Sequence, residues 1–470
     1  MNKIWSYSII GFLFLLIILA YTEYHAELTD RSDESHRQAD PHEASYVPGL
    51  KTLIIAPHPD DETLGGAGAM LKSAAAGRNV KVLLMTSGDG YKKAAANYFG
   101  ISEPGPKEFL RLGNLRHQES LRAVRHLGVH DRNDVVFLNY PDGGVNGLWE
   151  ANWDCTNLHR GLNGGTHAPY DYSYEKNAPY CGANVVKNLE QILHDFQPTD
   201  IIYPDPNDQH HDHWATSAFI KYVLAKNRYA VNEWTYLVHR TDFPKPLVHD
   251  GDLPLKPPLV MEDLDAQWYE VAMNAEARKR KLAAVREYAT QTKRMDLFLE
   301  AFVRKNDLLE TYPDPILKMV QGPVSSAEIP SLFPDAYADT LQDKLEPFAD
   351  IVSIGGGLDR ERFYVSIELN AAIHPGIAYD IRLRIFRPQA IDRFDLSFQQ
   401  GQLRAVKHAD NSLELTPDIS IEANENRIML SFPAEIVQGA EGFMISADSI
   451  SQGKRIDKTA WRLIRMPFAS

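Results

Sequence analysis

The sequence predicts a protein of two parts: a mostly parallel, Rossmann-like α/β sheet with helices on both faces, followed by an antiparallel β-sandwich. Short apolar runs alternate with helical periodicity from Lys51 to about Leu309, which is typical of a parallel sheet. From about Ile351, apolar residues recur at every second position between turn residues, which is typical of antiparallel strands. The length of 470 residues also exceeds what one ordinary core fills.

The first segment of the chain is apolar. Residues 4–21 carry no charge and follow a single Lys3, and their length lies between that of a signal-peptide core and a short membrane span. Lys3 favours a cytoplasmic N-terminus with the rest of the chain exported. We therefore predict a signal anchor or a cleaved signal peptide over residues 1–26 and a polar linker over residues 27–48. The body would then be membrane-anchored and face the periplasm or the cell exterior, or it would be secreted.

The α/β part is predicted over residues 49–312. Strand-like runs occupy residues 53–55, 80–85, 135–138, 201–203 and 234–238, and helical periodicity covers residues 62–76, 110–127, 185–196 and 214–224. Two stretches, residues 91–108 and 149–180, show no period and are rich in Gly, Asn, Tyr and Pro. Long stretches of this kind are either walls and lids of a functional site or neutral surface insertions.

The second part begins after a change in composition. Residues 313–345, where Pro and Ser are frequent, are predicted to link the two parts, and residues 346–470 are predicted to form the β-sandwich. Such a domain binds carbohydrate when aromatic rings are exposed on one face, and Phe386, Phe394 and Phe398 are the candidates for that face. Packing or assembly with a partner is the alternative role.

Charge and cysteine content exclude some functions. The chain has 49 Lys and Arg against 63 Asp and Glu, a net charge of -14, which disfavours binding to nucleic acid. Its two cysteines, Cys155 and Cys181, are too few for a Cys-rich zinc module. Outside the cytoplasm they are able to form a disulfide, and two free thiols are the alternative. A metal would therefore have to be held by His and carboxylate ligands.

Two clusters of His and Asp follow predicted strands. Residues 56–63 read Ala-Pro-His-Pro-Asp-Asp-Glu-Thr after the first strand, and residues 208–213 read Asp-Gln-His-His-Asp-His after the fourth. Sites in open α/β sheets form at the carboxyl ends of strands, so we expect the clusters to converge there. Two His with one carboxylate is a ligand set of catalytic zinc sites, although these ligand types also suit other ions.

These motifs resemble those of the PIG-L/LmbE-like zinc-dependent N-deacetylases, which remove acetyl groups from N-acetylglucosamine units. The matching runs are His58-Pro-Asp-Asp-Glu62, Arg116-x-x-Glu119, Tyr140-Pro-Asp142-Gly-Gly144, His210-x-Asp-His213 and Tyr236-Leu-Val-His239-Arg240. The resemblance covers roughly residues 51–310. It includes neither the N-terminal segment nor the β-sandwich.

The resemblance implies a set of metal ligands. His58, Asp61 and His213 would bind one zinc ion per chain. His211 stands where the family often has proline, so it is an alternative ligand.

The resemblance also implies catalytic roles. Asp60 would be the general base. His210, positively charged, would stabilise the oxyanion or protonate the leaving amine. Asp212 would orient a histidine by hydrogen bonding.

Three further residues are candidates for substrate binding. Arg116 would contact a substrate hydroxyl or phosphate oxygen, or else form a salt bridge with Glu119. Asp142 would contact a sugar or cap a turn. His239 would lie in the pocket or be buried in the core.

Together these observations predict an exported zinc hydrolase that removes N-acetyl groups from N-acetylglucosamine-type units of a glycan or glycolipid. Besides this substrate, its partner would be the membrane, through the N-terminal segment. One alternative is a zinc amidase for another N-acyl substrate. The other is a non-catalytic sugar-binding or envelope scaffold protein.

Overall fold

The structure is a computed structural model that describes residues 45–336, 345–387, 390–408, 411–413 and 418–467. The predicted anchor or signal peptide and nearly all of the polar linker lie outside these ranges. Among the described residues, no helix combines the length and the apolar character that crossing a membrane requires.

The central sheet has seven strands in the order β3-β2-β1-β4-β5-β7-β6. They are β1 (Lys51–Ala56), β2 (Asn79–Thr86), β3 (Val135–Tyr140), β4 (Asp200–Pro204), β5 (Asn232–Tyr236), β6 (Gln267–Ala272) and β7 (Asn306–Thr311). Strands β1 to β5 are parallel, and β6 and β7 form an antiparallel edge. The predicted mostly parallel sheet is confirmed. Because the chain runs outward from β1 to β3 and then returns to β4, a crevice opens between the carboxyl ends of β1 and β4.

Helices cover the sheet. They are α1 (Asp61–Ala75), α2 (Lys92–Phe99), α3 (Pro106–His126), α4 (Val145–Glu150), α5 (Gly182–Phe196), α6 (His211–Lys226), α7 (Ala275–Arg286) and α8 (Ala289–Glu300). Helix α1 approaches the sheet through glycines: a Cβ atom on Gly65 would lie 2.1 Å from Cδ2 of Tyr236, and one on Gly66 would lie 3.0 Å from Cγ2 of Ile54. The small residues therefore place the start of α1 directly against β1, which the first His and Asp cluster follows, and against β5.

The two stretches without sequence period differ in structure. Residues 91–108 contain helix α2, whose Ala94 and Ala95 pack against Phe109 and Leu112. Residues 151–181 contain no helix and only isolated bridges. A disulfide between Cys155 and Cys181, with Cα atoms 5.1 Å apart, closes this loop.

The second part is built from two further sheets. One contains β8 (Lys318–Met319), β9 (Ser331–Pro334), β10 (Ile351–Leu358), β11 (Arg362–Leu369), β16 (Ser420–Asn424) and β17 (Arg427–Pro433). The other contains β12 (Ile377–Arg387), β13 (Ala390–Gln399), β14 (Gln402–His408), β15 (Asn411–Leu413), β18 (Gly442–Ser451), β19 (Lys454–Lys458) and β20 (Arg462–Arg465). Strands β8 and β9 both pair with β10, so much of the segment predicted as a linker, residues 313–345, belongs to the sandwich.

The aromatic residues suggested for a carbohydrate-binding face belong to cores. Phe386 and Phe398 are buried, and Phe394 packs half-buried against the sandwich core. Their rings are thus not displayed on an open face, and the reason for expecting carbohydrate there is removed.

The two parts share a core. The Trp461 ring of the sandwich lies 5.4 Å from the ring of Trp149 on α4, measured between centroids. Lys458 places its Nζ 4.3 Å from the ring centroid of Trp214 on α6. The sandwich therefore packs directly on the two helices that border the crevice.

Candidate active site

Both His and Asp clusters lie at the crevice between β1 and β4. The first occupies the turn from β1 into α1, where Asp60 has φ 134°, a conformation that L-residues rarely adopt. Its carbonyl accepts hydrogen bonds from the backbone of Thr63 and Leu64, and its own N–H donates to Glu62 Oε2 at 2.9 Å. A strained backbone held by several bonds is typical of a functional site.

Two of the predicted ligands, both histidines, converge on the carboxylate of the third. Asp61 Oδ2 lies 3.0 Å from His58 Nδ1 and 3.0 Å from His213 Nε2, and all three side chains are buried. The other oxygen of Asp61 is buried without a hydrogen-bond partner. Two imidazoles and a carboxylate with an unpartnered oxygen fit a divalent metal such as zinc.

The carboxylates of this group attract positive charge. Burial opposes ionisation of Asp61, but His213 and His58 hold the pKa of its carboxyl well below its usual range. Burial lowers the pKa of His213, yet Asp208 and Asp61 raise it to about 9. The carboxylates that attract a proton here would equally attract a cation.

Asp208 orients His213 from behind. Its Oδ2 lies 3.1 Å from His213 Nδ1 and accepts hydrogen bonds from the backbone N–H groups of Val238 and His239 at 3.1 and 2.9 Å. A carboxylate fixed in this way sets the direction of a ligand imidazole. Asp208 was not singled out from sequence, although it follows β4 in the same run as His213.

Asp212 orients the other histidine. Its Oδ2 lies 3.1 Å from His58 Nε2, and its two oxygens accept hydrogen bonds from Gly143 and Val145 N–H at 2.7 and 2.9 Å. Asp142 Oδ1 also approaches His58 Nε2, at 3.2 Å, while its Oδ2 accepts from Gly90 N–H. Asp142 therefore joins the loops after β2 and β3 and faces the imidazole of His58, a predicted ligand.

Arg116 is placed against the predicted base. Its Nη2 donates to Asp60 Oδ2 at 3.1 Å and to the Pro59 carbonyl, and its Nη1 donates to the Gly88 carbonyl at 2.9 Å. The side chain is 3% exposed. Glu119, its predicted alternative partner, instead accepts from Thr290. Arg116 thus positions Asp60, because its buried guanidinium is already bonded to the turn and cannot reach outward.

The pKa of Asp60 is raised toward the neutral pH range. Burial raises it, Arg116 opposes that effect, and Asp61 and Glu62 raise it further, to about 8. A general base works best when its pKa lies near the working pH.

His210 differs from its expected charge. Its Nδ1 accepts a hydrogen bond from the Asp212 N–H at 3.2 Å, at the start of α6. Burial, followed by repulsion from His58, His213 and His239, lowers its pKa well below the usual range. These effects favour the neutral ring over the predicted positive charge, and because Nδ1 accepts a hydrogen bond, the proton of the neutral ring would lie on Nε2.

The remaining two histidines lie at the edge of the site. His239 Nε2 is 3.9 Å from Asp61 Oδ1, and its ring lies 5.1 Å from that of His210 and is one-third exposed. Burial and His213 lower its pKa to about 4. His211 is partly exposed and stacks on His210, with ring centroids 4.6 Å apart, so it lies outside the group formed around Asp61.

Asp89, at the end of β2, was missed by the sequence reasoning. Its Oδ2 accepts hydrogen bonds from Tyr170 Oη at 2.9 Å and Asn163 Nδ2 at 3.1 Å, both in the disulfide-closed loop. Burial and the nearby Asp142 raise the pKa of Asp89 to about 6. The sequence did contain an indication of its role, because Asp89 follows a predicted strand in the run Ser-Gly-Asp-Gly.

The comparison with known sequences gives one family and one curated relative. Residues 53–224 match the family PIG-L, described as GlcNAc-PI de-N-acetylase. A 1D-myo-inositol 2-acetamido-2-deoxy-α-D-glucopyranoside deacetylase of Salinispora arenicola (strain CNS-205) is 28% identical over 127 residues, which are 25% of this chain and 40% of that protein. The chain thus spans about 40% of the length of this relative.

Solved structures also resemble the chain. The N,N'-diacetylchitobiose deacetylase from Pyrococcus horikoshii is 20% identical, with a TM-score of 0.33, and the similarity covers 53% of this chain and 75% of that one. The A40926 pseudoaglycone deacetylase Dbv21 is 18% identical, with a TM-score of 0.36, and the similarity covers 56% of this chain and 96% of that one.

Proposed function

Because residues 53–224 of this chain match the PIG-L family, we propose that the protein is a metal-dependent N-deacetylase that releases acetate from N-acetylglucosamine-type units of a glycan or glycolipid. The observation that carries the proposal is the convergence of His58 and His213 on Asp61, with Asp60 in the adjoining turn.

Zinc is the proposed cofactor. His58, Asp61 and His213 would hold it, and the unpartnered oxygen of Asp61 agrees with that assignment. When bound, zinc supplies a Lewis acid that polarises a carbonyl and lowers the pKa of water. Asp208 and Asp212 would keep the two imidazoles in a ligand orientation.

The chain's own groups account for the proton movements. Asp60, held by Arg116, takes a proton from the attacking water, whose oxygen bonds to the acetyl carbon. His210 donates its Nε2 proton in a hydrogen bond to the oxygen that gains charge, as a neutral imidazole. Asp60 then returns its proton to the sugar nitrogen as the carbon–nitrogen bond breaks, so that acetate and an amine leave.

Export is the proposed localisation, with the N-terminal segment as an anchor or cleaved signal. The apolar, uncharged run of residues 4–21 supports it. The pairing of Cys155 with Cys181 also supports it, because disulfides persist mainly in oxidising compartments.

The test uses the full-length protein purified in detergent. Bound metal is quantified by elemental analysis, and acetate release is assayed from N-acetylglucosamine oligosaccharides and glycolipids. Asp60→Asn is expected to keep the metal and lose on the order of 10²–10⁴ in rate, whereas Asp265→Asn, at an exposed carboxylate, is expected to behave as wild type. Zinc-loaded wild type that releases no acetate from any substrate would refute the proposal, as would an active Asp60→Asn protein.

A further inference from the structure

Two buried acids lie at the base of the turn that leads from β4 to His213, and neither takes part in the chemistry above. Asp205 directly follows β4. Glu310 lies on β7, beyond the residues 53–224 that match the family. Both side chains are fully buried, and their carboxyl groups hydrogen-bond each other. Because ionised carboxylates only accept hydrogen bonds, this contact requires a proton on one of the two groups.

The donors around the pair leave one oxygen for that proton. Asp205 Oδ1 accepts from the Asn207 N–H at 2.6 Å, and its Oδ2 accepts from Thr235 Oγ1 at 3.4 Å. Glu310 Oε2 accepts from Tyr312 Oη at 2.9 Å. Glu310 Oε1 is buried and receives no hydrogen bond from any described residue. A proton held between the two carboxyl groups would satisfy this oxygen, whereas two ionised groups would leave it facing another acceptor.

Other charged and titratable groups around the pair have partners of their own. Arg240 Nε donates to Asp242 Oδ1 at 3.1 Å, and Arg462 Nη2 donates to the Pro313 carbonyl at 2.9 Å. Four further groups, from β4, β5, α6 and the chain after β7, form a separate bonded set, which consists of Tyr203, Glu233, Lys221 and Asp314. Burial and the charge of the neighbouring acid raise the pKa of Glu310 well above its usual range, and Arg240 offsets only part of that effect.

The pair closes a ring of hydrogen bonds under the second His and Asp cluster. From Asp205 the ring passes to Asn207, whose Nδ2 donates to Tyr312 Oη at 3.0 Å, and from Tyr312 it returns to Glu310. The turn that the ring encloses ends at Asp208, whose N–H donates to the Asp205 carbonyl at 3.2 Å. The position of Asp208 therefore depends on the ring.

Asp208 passes this placement on to two histidines. Its Oδ2 lies 3.1 Å from Nδ1 of His213, a predicted ligand, and its Oδ1 accepts from the His210 N–H at 2.9 Å. A shift of the turn would move the carboxylate that orients His213.

We propose that Asp205 and Glu310 share one proton, and that this pair positions Asp208 and, through it, His213. The pair is thus a positioning element for the metal site and touches neither metal nor substrate. The proposal rests on the function proposed above.

The first test measures the shared proton. In the unfolded chain the Glu310 carboxyl has a pKa of about 4.5, so folding takes up a proton above that pH, and the contribution of the pair to stability falls as pH rises. In Glu310→Gln the amide donates to Asp205 without a titrating proton. Between about pH 5.5 and 7.5, the unfolding equilibrium constant of the zinc-loaded, full-length protein in detergent should therefore rise about tenfold per pH unit relative to that of Glu310→Gln. The same pH dependence in both proteins, measured by urea unfolding, would overturn the shared proton.

The second test measures zinc affinity by chelator competition. Glu310→Gln keeps the ring, because its side-chain oxygen still accepts from Tyr312, and its affinity should stay within about threefold of wild type. Glu310→Ala opens the ring and should weaken zinc binding about tenfold, and Tyr312→Phe, which removes one hydroxyl, should weaken it about threefold. Asp457→Ala, at a buried carboxylate of the sandwich that accepts from the Ile351 N–H, is the matched control: it should lower stability and leave zinc affinity unchanged.

The outcomes separate positioning from a purely structural role. Zinc affinity that is unchanged in Glu310→Ala and Tyr312→Phe would overturn the proposal, and so would an equal loss in Asp457→Ala. Should Glu310→Ala fail to fold, Tyr312→Phe decides between the two roles. Neither measurement uses a substrate, so a wild type that binds zinc and releases no acetate would refute the deacetylase function and leave the positioning pair standing.

Discussion

Replacement of Trp461 by alanine tests whether the two parts of the chain fold as one. Trp461 is 2% exposed and contacts the ring of Trp149 at 5.4 Å, while Arg384 lies 5.1 Å above its face. Removal of a buried aromatic side chain of this size costs about 3–5 kcal/mol. Since whole proteins are stable by roughly 5–15 kcal/mol, the variant should lose about a fifth or more of its free energy of unfolding.

The assay is urea unfolding followed by far-UV circular dichroism, with acetate release measured in parallel. Wild type should unfold in one transition because the parts share a core, and Trp461→Ala should separate the sandwich transition from that of the α/β part. Trp461→Phe should lose less, and Leu345→Ala, at an exposed position, should lose almost nothing. A loss below about 1 kcal/mol in Trp461→Ala, or two transitions in wild type, would refute the reasoning.

Three other predictions concern buried polar groups. Asp208→Asn should weaken zinc binding about 10- to 100-fold, because His213 loses the carboxylate that orients it, as measured by chelator competition; unchanged affinity would contradict this. Lys281→Met should lower the free energy of unfolding, measured in urea, by about 3–5 kcal/mol, because it leaves Asp307 buried without its cation. Addition of Asp307→Leu should recover much of that loss. No recovery in the double variant would argue against the charge explanation. Burial lowers the pKa of His117 to about 4 in the folded state, so its contribution to the free energy of unfolding is complete above the unfolded pKa near 6.5 and is lost as pH falls toward 4. His117→Phe should therefore flatten the dependence of the free energy of unfolding on pH between these two values. An unchanged pH dependence would contradict the assignment.

Strands β1 to β4 of the parallel sheet were predictable because each contains a short apolar run that is buried. Strand β7, Asn306–Thr311, was not predicted, since it buries Asn306, Asp307 and Glu310 among its apolar residues. Lys281 donates to Asp307, and Asn306 exchanges hydrogen bonds with the backbone of Leu255, so these partners come from elements distant in sequence that no local pattern reveals. Helix α2 was missed for a different reason: its buried side is made of alanines, which give a weak apolar signal.

In the candidate site, sequence reasoning identified which clusters meet but not every partner within them. Position after β1 and β4 was sufficient to bring His58 and His213 together. The ion-pair partner of Arg116 could not be predicted from sequence, because Asp60 lies 56 residues away. Glu119, on the same helix, was a possible partner close in sequence. The lowered pKa of His210 depends first on its burial and then on other imidazoles, among them His58 and His239, that only the fold brings around it.

The backbone of Asp60 illustrates a conflict between stability and activity. Its φ of 134° is a conformation that glycine adopts freely and aspartate adopts at a cost of about 1–3 kcal/mol. Selection for stability alone would favour glycine at this position, so an aspartate that acts as the proposed general base would be kept at a cost to the stability of the fold. Sequences that have lost the activity would be free to relax the turn, and the residue at position 60 is where that loss would become visible.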